Sequence, residues 1–504
     1  MTAVAILAAA AGAWLGFANP FFHVPLLALL FPMGVAAAAL KADSPGRAFK
    51  YAWLAGFLGY GLAMYWVAIP VHDFGGLPWI LAAPCPALLA LYMGLYPGLF
   101  GLFIFLGRGM NMPAYGLMAA SLWAALELAR GTLFTGFPWV VLASAFTPWI
   151  EAIQAASIMG AYALSGVFAG IAVLLSVATP NWKSKFTALA LIAVVWGYGA
   201  WTLSKPLETR GRISASVVQG NIDQSLKWDE SFQAGTVERY IRLSQNEIKH
   251  NDPELIIWPE TALPFYFQEP SVLSGKVRAF ARDFDTALLA GSPAYRPDYD
   301  NGGMVLYNRA YLIDSGEVSG RYDKEHLVPF GEYIPLQKVL FFLDKLVAGV
   351  GDFKPGKDQK PLEGDGFKAG VLICYETIFP ELARMRVQSG ANLLVNISND
   401  AWFGRSSAPR QHLHLSALRA VELKRSLARS TNTGISAFID PRGRITGATQ
   451  LFRPATLNEP NLALVDEVTF FHENAGVITA AYCIIAALLG GLAAWRYMNG
   501  PSRP

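Results

Sequence analysis

The sequence predicts two kinds of structure in one chain: a multi-span α-helical membrane domain of about eight helices, and an α/β sandwich domain outside the bilayer. Three observations predict it. Long apolar runs fill residues 1–203 and return at 476–495, while 205–475 has ordinary globular composition. Lys and Arg occur in alternate inter-span loops. From Ile213 onward, short β-rich runs alternate with helical ones, the pattern of a layered α/β fold.

The 504 residues are 53% hydrophobic and only 15% charged, with a mean hydropathy of +0.34, where a soluble chain is about a quarter charged. A hydrocarbon core of ~30 Å needs about 20 apolar residues per helix. Eight runs fit, at 3–18, 22–40, 49–69, 78–106, 113–130, 151–177, 186–203 and 476–495. The first is short. It has no Lys or Arg before its apolar run and a second span follows at once, so it reads as a retained helix rather than a signal peptide.

Lys41, Arg47 and Lys50 follow the second run, Arg108 the fourth, Lys183 and Lys185 the sixth, and Arg496 and Arg503 the eighth. Loops 19–21, 70–77 and 131–150 have neither Lys nor Arg. Basic loops mark the cytoplasmic face. The expected division is a membrane domain at 1–204 with seven helices, an outer domain at 205–475, and an eighth helix with a cytoplasmic tail at 476–504. Both termini are then cytoplasmic, in a multi-pass membrane protein.

A net charge of +3 gives no footprint for nucleic acid. Of three cysteines, Cys85 and Cys483 lie in apolar runs, so Cys374 is the only thiol of the outer domain. It has no disulfide partner there, and one cysteine builds no zinc site. A structural role as a small buried hydrophobe and a chemical role both remain open.

Strands are expected at 213–219, 254–258, 286–291, 304–313, 368–374, 392–398, 434–439 and 462–466, and helices at 232–249, 271–284 and 411–429. Catalytic groups favour loops just past strand ends, and three such ends carry charge. They place Glu260 in WPETALP, then Lys324, His326 and Glu332 in RYDKEHLVPFGEYIP, then Cys374 and Glu376 in ICYE. Acyl transfer through a thioester fits this set. A thiol is a weak nucleophile until deprotonated. Glu260 would take its proton, and the Lys324 ammonium would stabilise the oxyanion of a tetrahedral intermediate. A Cys–His pair, with His326 or His412 as base, is the competing arrangement.

The ordered set WPE, YDKEHLVPFGEYIP and ICYE resembles the nitrilase superfamily, whose members use Glu, Lys and Cys in that order on an α-β-β-α sandwich. The longer strings VQGNIDQSLKWD at 218–229, DKEHLVPFGEYIP at 323–335, ICYETIFPE at 373–381, NISNDAWFG at 396–404, RSTNTGISAFID at 429–440 and TGFPW at 135–139 are similar to the apolipoprotein N-acyltransferase family. That resemblance implies Cys374 as nucleophile, Glu260 as general base and Lys324 as stabiliser of the intermediate, with Glu332, Tyr375 and Glu376 in support. It also implies transfer from a phosphatidylethanolamine-like donor, typically its sn-1 chain, to the N-terminal diacylglyceryl-cysteine of an apolipoprotein, the last step of lipoprotein maturation. No cofactor or metal is called for.

Both substrates would be lipid-anchored, which gives the spans a purpose. Trp228, Trp402, Phe403 and Trp139 are candidate lipid contacts, with core packing as the alternative, and 336–353 is a candidate interfacial arm. Glu127 and Arg130, near the outer end of the fifth run, read as snorkelling charges outside the site. Two other readings remain: a membrane-tethered nitrilase-type amidase acting on a small soluble substrate, and a transporter with an outer binding domain. A single span would anchor the first. For the second, few charged or polar residues lie deep in the spans, so a solute path is hard to trace.

Overall fold

The computed structural model describes residues 1–176, 181–298, 302–333 and 353–499. The expected arm at 336–353 lies outside them, apart from Phe353. Among the described residues, each of the eight apolar runs is mainly helical. Among the described residues, five helices are long and apolar enough to cross a membrane: Trp79–Gly109, Met112–Thr135, Ala156–Leu175, Trp182–Ser204 and Phe470–Asn499. A sixth span forms if Pro45–Ala63 and Tyr65–Asp73, bent by 59°, count together. The first two expected spans are the shorter helices Thr2–Gly16 and Pro25–Leu40. At about 1.5 Å per residue, neither reaches across a ~30 Å core by itself. The run at 151–177 is also broken. Its first turn, Ile150–Ile153, is separate, and Gly160 sits at φ 75° inside the helix that follows.

The second unit is a sandwich of two six-stranded sheets. The first comprises β1 (Gly211–Gln219), β2 (Leu255–Ile257), β3 (Ala287–Pro297), β4 (Met304–Asp314) and β5 (Glu317–Asp323). The second comprises β6 (Leu362–Glu363), β7 (Lys368–Ile373), β8 (Leu393–Ser398), β9 (Ser426–Thr431), β10 (Ala437–Ile439) and β11 (Ile445–Ala448). The last strand, β12 (Ala455–Leu464), returns to the first sheet beside β1. The spatial orders are β12-β1-β2-β3-β4-β5 and β11-β10-β9-β8-β7-β6, with β1-β2-β3 and β7-β8-β9 parallel at the centres.

Strand side chains alternate between faces, and here both faces are buried. Val217, Ile257 and Leu289 meet Val371, Ile373 and Val395 between the sheets. Their neighbours Val218, Ile256 and Leu288 face Val237, Tyr240, Val277 and Phe280 of helices Glu230–Asn251 and Val272–Asp283. On the other side, Leu372, Leu394 and Leu427 face helices Pro380–Gln388 and Ala408–Leu423. The layers are therefore α-β-β-α. Strands buried on both sides read as continuous apolar runs, as ELIIW and NLLVNIS do.

The helix expected at 411–429 ends at Leu423, and its last stretch is strand β9. Lys424, at φ 52°, caps the helix in the left-handed conformation and turns the chain. Strands β5, β6 and β11 were not expected as separate elements.

The two units share one core. Tyr375, Ile378, Phe379, Leu415, Leu418 and Val421 of the sandwich pack with the apolar helices. Glu127 and Arg130 are buried rather than snorkelling. The Glu127 carboxylate accepts the Trp123 indole N–H at 3.0 Å and the Leu142 main-chain N–H at 2.9 Å, and an Arg130 guanidinium N–H donates to the Val140 carbonyl at 3.3 Å. A charge in a low-dielectric interior must be paired or bonded, and here the pair holds the loop after TGFPW.

Candidate active site

Glu260 follows β2 on a turn clamped to β3: the Gly291 N–H donates to the Pro259 carbonyl at 3.2 Å, and Leu263 N–H to the Gly291 carbonyl at 3.0 Å. A Cβ on Gly291 would stand 2.8 Å from the Glu260 Cα and 2.5 Å from the Thr261 nitrogen. Only glycine allows the main chain of Glu260 to lie so close to the sheet.

Lys324 lies just past β5 and is 1% exposed. Its ammonium is 2.9 Å from Glu332 and 3.5 Å from Glu260 Oε1. Burial opposes the charge, but Glu332 and Glu260 outweigh it and keep the group protonated well above the usual lysine range. Asn308, on β4, bridges the two acids through one amide nitrogen, 2.7 Å from Glu260 Oε1 and 3.0 Å from Glu332 Oε1. The second Glu332 oxygen accepts the Val328 N–H at 2.8 Å. Glu260 from the loop after β2, and Lys324 and Glu332 from the loop after β5, thus meet in one hydrogen-bonded cluster.

Cys374 is the first residue past β7 and has φ 53°, in the left-handed region. For a non-glycine residue this costs on the order of 1 kcal/mol and persists only where the surroundings enforce it. Burial, and then the Glu260 charge, push its thiol up to about 12, with Lys324 pulling the other way. The resting group is a neutral thiol that needs a base.

The supporting residues differ in kind. Glu376 is fully buried. One oxygen accepts the Tyr322 hydroxyl at 2.8 Å, the Glu325 N–H at 2.7 Å and the His326 N–H at 3.0 Å. The other accepts the Ile373 N–H at 2.7 Å. It ties the Lys324 loop to the Cys374 turn and has no role as a base to spare. The Tyr375 hydroxyl donates to the Gly136 carbonyl at 3.1 Å, joining the residue after the nucleophile to TGFPW.

The two histidine alternatives have other neighbours. His326 lies 4.0 Å from the Phe379 ring, and burial, then Lys324, push it down to about 4. Nε2 of His412 faces the main-chain carbonyl of Cys374 at 3.2 Å, not its sulfur.

The four lipid-contact candidates separate. Trp228 is 53% exposed and Trp139 only 1%. Trp139 is therefore a packed residue, against Trp66, Phe403 and Tyr375, which is the core-packing alternative. Phe403 packs on Trp66 at 5.0 Å and Trp402 on Phe74 at 4.5 Å, so both touch the apolar unit.

Sequence reasoning passed over Asn308 and Lys227. Asn308 stands inside MVLYNRAYLI, where a polar pair interrupting an apolar strand was the available signal. Lys227, between Leu226 and Trp228, is 2% exposed and donates to the Glu260 carbonyl at 3.2 Å. Burial pushes it down to about 8, against the opposing pull of Glu260 and Cys374.

Residues 214–458 match the carbon-nitrogen hydrolase family, and 9–174 match the apolipoprotein N-acyltransferase N-terminal domain. The apolipoprotein N-acyltransferase of Geobacter metallireducens is 39% identical over 495 residues, covering 94% of each chain. That of Nitrosomonas europaea is 36% identical over 454 residues, covering 88% of each. Among solved structures, Saccharomyces cerevisiae Nit3, a nitrilase-superfamily member, aligns with 20% identity and a TM-score of 0.39 over 51% of this chain and 91% of its own. The two-unit architecture, the clustered Glu260, Lys324 and Cys374, and identity along nearly the whole length agree: the chain belongs to the apolipoprotein N-acyltransferase family.

Proposed function

We propose that this protein moves an acyl chain from a membrane phospholipid, of phosphatidylethanolamine type, onto Cys374, and from there to the N-terminal amine of a diacylglyceryl-cysteine lipoprotein. The observation that carries this reading is the position of the nucleophile. Cys374 lies within the fields of Glu260 and Lys324, and its neighbour Tyr375 is hydrogen-bonded to the apolar unit.

In the first half-reaction Glu260 takes the Sγ proton as sulfur attacks the ester carbonyl carbon. An S–C bond forms, and the oxyanion develops beside the Lys324 ammonium. As the intermediate collapses, the C–O bond breaks, Glu260 returns the proton to the departing glycerol oxygen, and lysophospholipid leaves. In the second half-reaction the lipoprotein's neutral amine attacks the thioester. Glu260 carries a proton from nitrogen to sulfur as the C–S bond breaks, leaving an amide and a free thiol. Glu332 and Asn308 keep Glu260 and Lys324 in place for both halves.

The apolar unit would let both substrates react without leaving lipid, since drawing a chain into water costs about 0.8 kcal/mol per CH₂. In this reading the protein crosses the bacterial inner membrane several times. Residues 1–204 and 476–504 hold seven spans and one span, the two shortest helices included, and 205–475 faces the periplasm with both termini inside.

The test supplies purified protein with phospholipid labelled in its sn-1 chain and a diacylated lipopeptide. The expected product is a labelled triacylated lipopeptide. Label released only as free fatty acid, with the lipopeptide unmodified, would support the amidase reading instead.

A further inference from the structure

Two adjacent side chains on helix Ala408–Leu423 face different partners. His412 holds the nucleophile's main chain: Nε2 lies 3.2 Å from the Cys374 carbonyl oxygen, and Nδ1 lies 2.9 Å from an Arg429 guanidinium nitrogen and 3.2 Å from Asp400 Oδ1. A carbonyl only accepts and a guanidinium only donates. A neutral ring with its proton on Nε2 satisfies both contacts. Arg429 is itself fixed by Asp400 at 2.8 Å, and the Ser398 hydroxyl donates to Asp400 at 2.8 Å.

Gln411, one residue earlier and 5% exposed, faces the apolar unit. Its Oε1 accepts the indole N–H of Trp139 at 2.8 Å and of Trp66 at 3.2 Å, and its Nε2 donates to the Ala63 carbonyl at 3.1 Å. Ala63 and Trp66 flank the 59° bend between Pro45–Ala63 and Tyr65–Asp73. The bend lies at Met64, with φ −119°. Trp139 belongs to the loop whose Gly136 carbonyl accepts from Tyr375. The Trp139 ring lies 5.4 Å from His412, 5.9 Å from Phe403 and 6.4 Å from Tyr375. One amide therefore gathers the bend, the buried loop and the helix that fixes the Cys374 carbonyl.

We propose that Gln411 is a positioning residue that sets the membrane-embedded acyl-donor region at a fixed offset from Cys374, and so determines use of lipid-anchored donors. This rests on the thioester reading above. A phospholipid ester is held in depth by its own chains, so the offset decides whether its carbonyl meets the sulfur. A small water-soluble ester has no such anchor and needs only the local Glu260–Lys324–Cys374 geometry.

The test compares Cys374 acylation by two donors in the full-length protein: a long-chain phospholipid in mixed micelles, and p-nitrophenyl butyrate. Gln411→Met leaves two buried indole donors unpaired. It should lower kcat/KM for the phospholipid by about tenfold or more, while the butyrate rate stays near wild type. Gln411→Glu keeps an oxygen for both indoles and should recover part of the loss. Trp66→Phe, which removes one donor from the same oxygen, should show the same selectivity at smaller size. Equal loss with both donors across these variants, or no loss with phospholipid, would overturn the proposal. Wild-type Cys374 acylated by both donors leaves the thioester reading standing whichever way the variants behave; wild type acylated by neither would sink that reading itself.

Discussion

The Tyr322 hydroxyl donates to the Glu376 carboxylate at 2.8 Å, so the acid nearest to Cys374 in sequence is bound to the strand end that precedes Lys324. Its remaining acceptor sites face the N–H groups of Glu325, His326 and Ile373. Arg386 joins the set, with guanidinium contacts to the Tyr322 oxygen at 2.5 Å and Glu325 at 2.8 Å. The acid's work is to hold two loops in register.

Glu376→Gln would aim an amide N–H at one of these donors. The expected loss is about 2 kcal/mol, the scale of a hydrogen bond to a charge, seen as a lower Tm in detergent together with slower acylation. Tyr322→Phe removes a donor to that carboxylate and an acceptor for Arg386, and should likewise cost about 2 kcal/mol. Wild-type Tm in Glu376→Gln would contradict the assignment.

Asn308 spans Glu260 and Glu332 through a single nitrogen. Asn308→Asp replaces a shared donor with a third negative charge, whereas Asn308→Ala removes the donor alone. Both should slow acylation, the aspartate more, since like charges in a buried cluster repel. Single-turnover acylation rates measure this. An aspartate variant faster than the alanine variant would count against the bridging role.

General-base catalysis by Glu260 predicts a loss of about 10²-fold or more in acylation for Glu260→Gln. His326→Gln should acylate at close to the wild-type rate, because His326 is pushed down to about 4 and packs on Phe379. Stopped-flow acylation of the two variants decides between the Glu and His alternatives, and the opposite ranking would restore the Cys–His arrangement.

Lys227 gives a pH prediction. Burial lowers its folded value to about 8, below the usual lysine range. Between that value and the unfolded one, the unfolded chain binds more protons, so stability rises with pH. Below pH 8 the penalty on the charged form is fully present. Lys227→Met escapes it but loses the bond to the Glu260 carbonyl. The difference, variant minus wild-type stability, should therefore be largest below pH 8 and shrink by on the order of 2–3 kcal/mol towards pH 10. Unfolding in detergent at pH 7.5 and 9.5 tests the sign, and a difference independent of pH would refute it.

Much of this was legible in the sequence because strong local signals carried it. The doubly buried strands ELIIW and NLLVNIS announce themselves as apolar runs, and the three charged strand ends fall where loops meet. The rest depended on long-range packing. The tail of the run at 411–429 keeps its helical appearance through SLARST, yet Lys424 turns the chain and β8 recruits β9 by parallel pairing. Glu127 and Arg130 looked like surface charges because no local pattern announces that the loop at 140–142 closes over them. Trp139 looked like an interfacial aromatic until Gln411, 272 positions along the chain, supplied its acceptor.

The central claim is that Cys374 carries the acyl chain. Purified protein incubated with labelled phospholipid, without acceptor, is digested and the Cys374 peptide weighed by mass spectrometry before and after neutral hydroxylamine. The account predicts a peptide heavier by one acyl group, lost on hydroxylamine treatment, and no labelling of Cys374→Ala. Equal labelling of Cys374→Ala, or a hydroxylamine-stable adduct elsewhere in the chain, would contradict it.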